Sequence, residues 1–288
     1  MDIETSGIAD KVREFFPVVS KCRLHGPDGL KTHYYGLFRM DCGKAIGSGS
    51  VSGTYTPHSS EDIVALCSAA EGVFGEMADV ELTFRDGHYV SIAPTRQQRL
   101  AVFGTDTVWP RIIITARYGE CFRASVGLYR DCCRNLHVMH SVQGTTVTFR
   151  HTSSLRSKMD DLIADFGCLR GGWDALSAQI RTMAQTQLDT ADFLNRLYPL
   201  KPTASANAET RHRRRTEAII RRVARERLAV GREPTDLGSA TAWELWNAAG
   251  GYIQHQKPRR GFTTNFDRAV LAIEDADLRR AEALAMAV

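Results

Sequence analysis

Short segments rich in aromatic, β-branched and small residues fill the first half of the chain and predict β-strands. Within residues 31–56, "HYYGLFRM" and "AIGSGSVSGTY" predict two paired strands joined by the turn "DCGK". "VELTF" and "HYVSI" predict a second pair across an Asp-Gly turn, and "WPRIIITARYG" and "CFRASVGLYR" predict two further strands. The interval 138–151 predicts another hairpin, with its turn at Gln143-Gly144.

Helical spacing of apolar residues marks one early segment and most of the second half. "SSEDIVALCSAAEGVFGEM" predicts a helix capped by Ser59 or Ser60. A helical pattern begins again at Leu155, with interruptions predicted at Gly167 and at the glycine pair 171–172, and continues to "FLNRLYP". Three more helices are predicted in "RHRRRTEAIIRRVARERLAVG", "TAWELWNAAGGYIQH" and "TTNFDRAVLAIEDADLRRAEALA".

The order of these elements predicts an α+β fold, because the strands come first and the helices follow rather than alternate with them. We expect an antiparallel sheet core with packed helices, followed by a helical C-terminal region. The segment 199–210 contains two prolines and small polar residues, which is typical of a linker. The predicted division is therefore a sheet-plus-long-helix core at 1–198, a linker at 199–210 and a basic helical region at 211–288.

Composition fits a folded protein without a membrane segment. The chain has 288 residues, of which 43% are hydrophobic, and no apolar stretch approaches the length of about 18 residues that a membrane helix needs. The N-terminal "MDIETSGIADKVREFF" lacks the apolar core of a secretory signal. The seven cysteines are scattered and odd in number, which favours reduced thiols over a disulfide framework. We expect a cytoplasmic protein.

Positive charge is concentrated in one segment. The net charge is +4, yet between Lys201 and Arg232 ten basic residues stand against three acidic ones. The rest of the chain is therefore slightly acidic. A local excess of this kind favours a polyanionic partner.

The central stretch "GLYRDCCRNLHVM", residues 127–139, allows three interpretations. It could hold a metal through Cys132, Cys133, His137 and His140, with His151 or Cys121 completing the set, although adjacent cysteines on a strand point to opposite faces. It could supply a cysteine nucleophile activated by a histidine. We favour a structural role, with a cysteine in the core, Asn135 closing a strand–turn junction, and Arg130 and Arg134 projecting from one exposed strand face.

The same stretch resembles a family encoded by phages and plasmids, the domain of unknown function 932. "YGECFRASVGLYRDCCRNL" followed by "FRHTSSLRSKMDDL" is similar to its Gly-x-x-Arg and Cys-x-Asn segment and the "RH" pair that opens a long helix; "TYTPHSSEDI" and "WELWNAAGGYIQH" are similar to its early and late segments. Leu136 stands where the family tends to have glycine. The resemblance covers about 35–285 and implies a mobile-element setting without an activity. In outline, the order of sheet and long helix is also similar to the Rad-fifty-two-type single-strand annealing proteins.

These observations favour a nucleic-acid-binding protein of a phage or mobile element, with single-stranded DNA binding and annealing in recombination as its function. Arginines would neutralise backbone phosphates and tyrosines would stack on bases. Annealing would require a homo-oligomer, and no cofactor or membrane is expected. The candidate binding residues are Arg111, Arg117, Arg123, Arg130, Arg134, Arg150, Lys158, Arg213, Arg214, Arg215, Arg221, Arg222, Tyr34, Tyr35 and Tyr129.

Two alternatives use the same features differently. The basic helix could dock on an acidic surface of a host protein and modulate a host complex. Asp160, Asp161 and Asp165 could hold magnesium for an enzyme that acts on nucleic acid, but a solvated helix face explains them better and we expect no enzyme. "GSGSVSG" lacks the Lys-Ser/Thr ending of a phosphate-binding loop, which argues against nucleotide hydrolysis.

Overall fold

The computed structural model describes residues 7–94, 99–130, 133–150, 155–258 and 264–287. It confirms the predicted α+β class, because every strand pair within these ranges is antiparallel and most helices follow the strands. The contacts divide the chain into two compact units: unit 1 is formed by 1–97, 111–126 and 146–171, and unit 2 by 98–110, 127–145 and 172–288. This division follows contacts rather than chain order, and the predicted boundaries around a linker at 199–210 stay a prediction.

Unit 1 carries the predicted paired strands and the early helix. Strands β1, β2 and β3 form one sheet in that order, and the larger sheet has the described strands in the order β10-β8-β7-β5-β4, with β6 on β7 and β9 on β8. Strands β7 and β8 and helix α3 contribute residues to both units. The elements that begin in unit 1 are α1 Ile8–Phe15, β1 Val19–His25, β2 Lys31–Arg39, β3 Ala45–Val51, α2 Ser60–Phe74, β4 Met77–Phe84, β5 Gly87–Pro94, β8 Cys121–Arg130, β10 Thr146–Arg150 and α3 Leu155–Gln185.

Local sequence signals determine several boundaries in unit 1. Ser59 caps α2 in a reciprocal capping box with Asp62, as predicted from its position before the apolar run. The β4–β5 hairpin turns at Arg85 and Asp86, and Asp86 has a φ of 56°, a left-handed conformation that aspartate tolerates. The predicted hairpins β2–β3 and β4–β5 are confirmed.

Unit 2 is predominantly helical. Its buried side chains include two tryptophans of α6, Trp243 and Trp246, and α6 packs against both α5 and α8. Its elements are β6 Leu100–Phe103, β7 Asp106–Arg117, β9 Cys133–His137, β11 Gln187–Asp189, α4 Thr190–Leu197, α5 Ala206–Ala229, β12 Ser239–Thr241, α6 Ala242–His255, α7 Asn265–Ala272 and α8 Ala276–Met286. Helix α5 is the predicted basic helix, and Gly231, with a φ of 74°, follows its end as predicted.

A pair of adjacent glycines, Gly250 and Gly251, lies in the buried middle of α6. A Cβ at Gly250 would lie 2.6 Å from the Cε1 atom of His137, and one at Gly251 would overlap the guanidinium of Arg222. The absence of side chains at both positions therefore gives room to two large polar groups from β9 and α5.

Four boundary predictions were wrong. The interval 138–151 is not a hairpin, because β10 pairs with β8 and the described residues 138–145 form no strand. Helix α3 continues through Gly167, Gly171 and Gly172, and Gly172 allows close packing against the backbone of Gly144. Helix α5 begins at 206, five residues before the predicted start at Arg211, with Ser205 as its cap. The last predicted helix is two helices, α7 and α8.

None of the helices within the described ranges is both long enough and apolar enough to span a lipid bilayer.

Candidate functional site

Arg130, a predicted phosphate contact, is the centre of a buried ionic cluster in unit 2. Its guanidinium donates two hydrogen bonds to Asp106, at 2.7 and 2.8 Å, and one to Glu226 at 2.6 Å. The side chains of Arg130 and Asp106 are 3% and 1% exposed, and Trp243 donates from its Nε1 to the same aspartate at 3.1 Å. A strand of nucleic acid cannot reach this guanidinium, so the prediction that Arg130 contacts phosphate was wrong.

Arg111 and Arg222 were also predicted to contact phosphate, and this prediction was wrong because both side chains are buried. In unit 1, Arg111 is 2% exposed and donates to Ser91 and Glu81. In unit 2, Arg222 is 7% exposed, lies 3.7 Å from Glu226, and rests on Gly251 of α6. Buried charges are stable only when they are paired, and these two arginines have internal carboxylate partners.

The assumption that Arg130 and Arg134 share one strand face was also wrong. Arg130 ends β8, and Arg134 lies in β9, which runs antiparallel to it with Arg130 opposite Cys133. The chain therefore reverses direction between the two arginines, and counting parity along a single strand does not apply.

The remainder of the central stretch connects β9 to α6. Asn135, which is inside β9 rather than at a strand–turn junction, donates to the carbonyl oxygen of Asn247 at 3.2 Å. The amide of Gln254 bonds both backbone groups of Leu136. The ring of His137 lies 4.3 Å from that of Trp246. The polar residues of this motif thus fasten a strand to a buried helix.

The described residues do not assemble the metal ligands considered for this stretch. The ring of His137 is against Trp246, whereas the Nε2 of His140 lies 3.1 Å from the carbonyl oxygen of Ile273. Within the described ranges no group of three or more histidine, cysteine or acidic side chains is placed to hold a metal ion. Cys132 and His151 lie outside the described residues, and of Cys133 only the backbone is described.

The other predicted residues of the sheet half are dispersed over several strands. Arg117 pairs with Glu120, and Arg123 is half-buried on β8. Tyr34 is 61% exposed on β2, whereas the ring of Tyr35 lies beneath Lys21 and Arg23. Tyr129 packs near Trp109. The side chains of Arg134, Arg150 and Lys158, and those of Asp160, Asp161 and Asp165, lie outside the described part of the structure.

Helix α5 presents a continuous row of exposed guanidinium groups, which we call the arginine stripe: Arg211, Arg214, Arg221 and Arg225. The spacing of three, seven and four residues places all four on one face at 100° per residue, with the small Ala218 between them. The inward side of the helix is buried through Ile219, Val223 and the paired Arg222, Glu226 and Arg227. The amphipathic pattern of the helix therefore separates arginines paired with buried carboxylates inside from exposed arginines outside.

Few carboxylates neutralise the positive charge of the stripe. Within the described structure, no carboxylate lies within 4 Å of Arg211, Arg214 or Arg225. Arg221 and the neighbouring Arg213 share Glu217, at 3.6 and 3.9 Å, and both are more than 70% exposed. Ion pairs this exposed contribute about 0–1 kcal/mol and leave most of the positive potential in place.

A cleft of about 400 Å³ adjoins the N-terminal part of the stripe. Arg211 and Arg215 of α5 and Arg280 of α8 contribute guanidinium groups to its lining, and Pro199 and Leu200 contribute apolar walls. The guanidinium of Arg215 lies 5.2 Å from the ring centre of Tyr198. Burial raises the pKa of the Tyr198 phenol far above its usual value, so the phenol stays uncharged.

Sequence reasoning included Arg213, Arg214, Arg215 and Arg221 but missed Arg211, Arg225 and Arg280. The first two could have been found from helical spacing, because Arg211 lies three residues before Arg214 and Arg225 lies four residues after Arg221. Arg280 carries no such signal, because it reaches the cleft from another helix 65 or more residues away along the chain. The best-supported candidate site is therefore the stripe and the adjoining cleft rather than the sheet.

Comparisons with known proteins identify a family and nothing narrower. A family model described as "Domain of unknown function (DUF932)" matches residues 48–284, within the range predicted from the motifs. No curated protein and no solved structure matches the chain. The likeness in outline to Rad-fifty-two-type annealing proteins stays a prediction.

Proposed function

Because the chain belongs to the family described as domain of unknown function DUF932, whose description gives no activity, we propose a function from its own geometry: it binds the phosphate backbone of nucleic acid along the arginine stripe of α5. The observation that carries the proposal is the absence of a nearby carboxylate, within the described residues, for Arg211, Arg214 and Arg225. Exposed guanidinium groups in a row attract a chain of phosphates.

Burial separates the two kinds of arginine in α5. Arg222 and Arg227 face inward, where Glu226 and Glu244 neutralise them. The outward arginines outnumber the outward glutamates, Glu209 and Glu217, by three to one when the half-buried Arg215 is included. In the folded protein, Glu226 and Glu244 therefore neutralise buried arginines, and the excess positive charge of α5 stays on the surface.

The dimensions of the stripe fit a short stretch of strand. Arg211 and Arg225 are fourteen residues apart, which is about 21 Å along a helix that rises 1.5 Å per residue. Nucleic acid carries a phosphate about every 3.4 Å of each strand in stacked geometry. The stripe is thus long enough for about six nucleotides, and its four guanidinium groups can contact separate phosphates.

We favour single-stranded DNA as the ligand, with annealing in the recombination of a phage or mobile element as the biological output. A single row of guanidinium groups fits the one backbone of an unpaired strand. A homo-oligomer would hold a longer strand than one stripe can, and a cytoplasmic location would suit this role.

The test is the salt dependence of binding to a fluorescently labelled 20-nucleotide single strand, measured by anisotropy. Four phosphate contacts predict a slope of log K against log salt near −2.8, at about −0.7 per contact, which is a loss of about 50-fold between 50 and 200 mM. The double substitution Arg214→Ala and Arg225→Ala should reduce the slope by about 1.4. Neither arginine has an internal ion pair in the described structure, so the variant should fold normally.

Arg181→Ala is the matched control. Arg181 is an exposed arginine on α3 with no carboxylate within 4 Å in the described structure, so the control makes the same kind of change away from the stripe. The control should bind like the wild type. Absence of binding, or binding that does not respond to salt, would overturn the proposal; co-purification with a stoichiometric acidic host protein instead of nucleic acid would favour the docking alternative.

A further inference from the structure

We propose that the cleft lined by Arg211, Arg215 and Arg280 binds the terminal phosphate of a nucleic-acid strand, a phosphomonoester dianion. This inference rests on the proposed function, because the same stripe would carry the strand that ends in the cleft. It assigns to one end of the stripe a ligand chemistry that differs from that of the phosphodiester backbone.

The cleft is concave and strongly cationic. Three guanidinium groups line it, and within the described residues none of the three has a carboxylate within 4 Å. Asp277, the acidic residue of the lining, is already paired with Lys257 at 2.8 Å. A terminal phosphate carries about −1.5 to −2 charges at neutral pH, which fits three cationic groups better than the single charge of a diester.

Two of the guanidinium groups are already held in position. Arg280 donates from its Nη1 to the carbonyl oxygen of Leu197 at 3.2 Å, and Arg215 lies over the ring of Tyr198. Each guanidinium has five N–H donors, so most remain available after these contacts. Groups that are held before binding lose less conformational entropy when the ligand arrives.

The stripe also stops at this cleft. Arg211 is its first member, and the preceding turn of α5 contains the exposed Glu209 and no basic residue. A backbone that continued past Arg211 on the face of the stripe would meet Asn207, four residues earlier, rather than another guanidinium. The charge pattern therefore favours a strand that ends beside Arg211, and its last phosphate would enter the cleft.

The experiment compares oligonucleotides of one sequence that carry a 5′-phosphate, a 3′-phosphate or no terminal phosphate, with the label placed internally. The wild type should bind one of the phosphorylated strands about tenfold more tightly than the unphosphorylated strand. Arg280→Gln should lower the ratio of the two affinities to about one, because Arg280 lines the cleft and lies outside the stripe.

Arg279→Ala is the matched control, since this exposed neighbour on α8 pairs with Glu274 and does not line the cleft. It should keep the preference, and thermal unfolding of both variants confirms that they are folded. Equal, salt-dependent binding of all three strands overturns the terminal-phosphate inference and leaves the proposed function intact, whereas no binding of any strand overturns both. Thermal stabilisation by adenosine monophosphate, without a preference among strands, would assign the cleft to free nucleotides and reject the strand end.

Discussion

Replacing Arg130 with alanine should destabilise the protein severely, although the same residue type on the stripe can be lost at almost no cost. The substitution leaves Asp106, 1% exposed, and Glu226, 7% exposed, without the guanidinium that bonds both. Removing one partner of a buried ion pair costs about 3–5 kcal/mol. That is a large share of the 5–15 kcal/mol by which proteins of this kind are stable.

Urea unfolding followed by tryptophan fluorescence measures this loss as a decrease in the midpoint. Arg214→Ala is the comparison, and it should stay within about 0.5 kcal/mol of the wild type. A double variant, Arg130→Met with Asp106→Leu, should recover most of the loss, because it replaces one cation and one anion by apolar side chains and leaves Glu226 beside Arg222. Trp243 would still lose its acceptor, at a cost of about 1–3 kcal/mol.

The reasoning would be refuted by an Arg130→Ala variant that unfolds at the wild-type urea concentration but binds oligonucleotides weakly. That outcome would mean that the guanidinium contacts the ligand rather than the core. A double variant less stable than Arg130→Ala would refute the claim that an unpaired carboxylate causes the damage.

Three further predictions concern other parts of the molecule. Gly172→Ala should lower the unfolding midpoint, because its Cβ would overlap the backbone of Gly144, whereas Gly171→Ala, where a Cβ meets nothing within 4 Å, should raise stability by about 0.5–1 kcal/mol. Burial raises the pKa of the Cys67 thiol to about 12, so this thiol should not react with a thiol reagent at pH 8 in the folded protein. The Cys67→Ala variant should therefore have the same number of reactive thiols before denaturation as the wild type. A decrease by one would contradict the buried position of Cys67. Burial opposes ionisation of Glu244, but hydrogen bonds and charges from its arginine partners outweigh burial and lower its pKa. The stability that this shift contributes is fully present above about pH 4.3 and is lost as the pH falls through the lowered folded-state pKa. Acid unfolding curves of the Glu244→Gln variant should lack this contribution.

Local signals in the sequence were sufficient for the elements that they control directly. The capping residue Ser59, the Asp86-Gly87 turn and the basic pattern of α5 each act within a few residues of chain, and each prediction was confirmed. The family was also recognisable, because its motifs are short and contiguous.

Features that depend on distant partners were not predictable from one sequence. Arg130 bonds residues 24 and 96 positions away, so nothing near it in the chain shows that it is buried. Gly172 was expected to interrupt a helix, but it lies inside α3, where the backbone of Gly144 packs too closely to leave room for a side chain. The cleft joins α5 to Arg280 on α8, and no periodicity relates the two helices.

The adjacent glycines of α6 have a consequence for how this fold can change over time. The guanidinium of Arg222 occupies the space that a side chain at position 251 would need. The imidazole of His137 does the same for position 250. A larger residue on the helix is compatible only with a shorter one opposite it. Across the family, we therefore expect positions 222 and 251 to covary in size, as should positions 137 and 250, so that substitutions tolerated in one member are damaging when transferred singly to another.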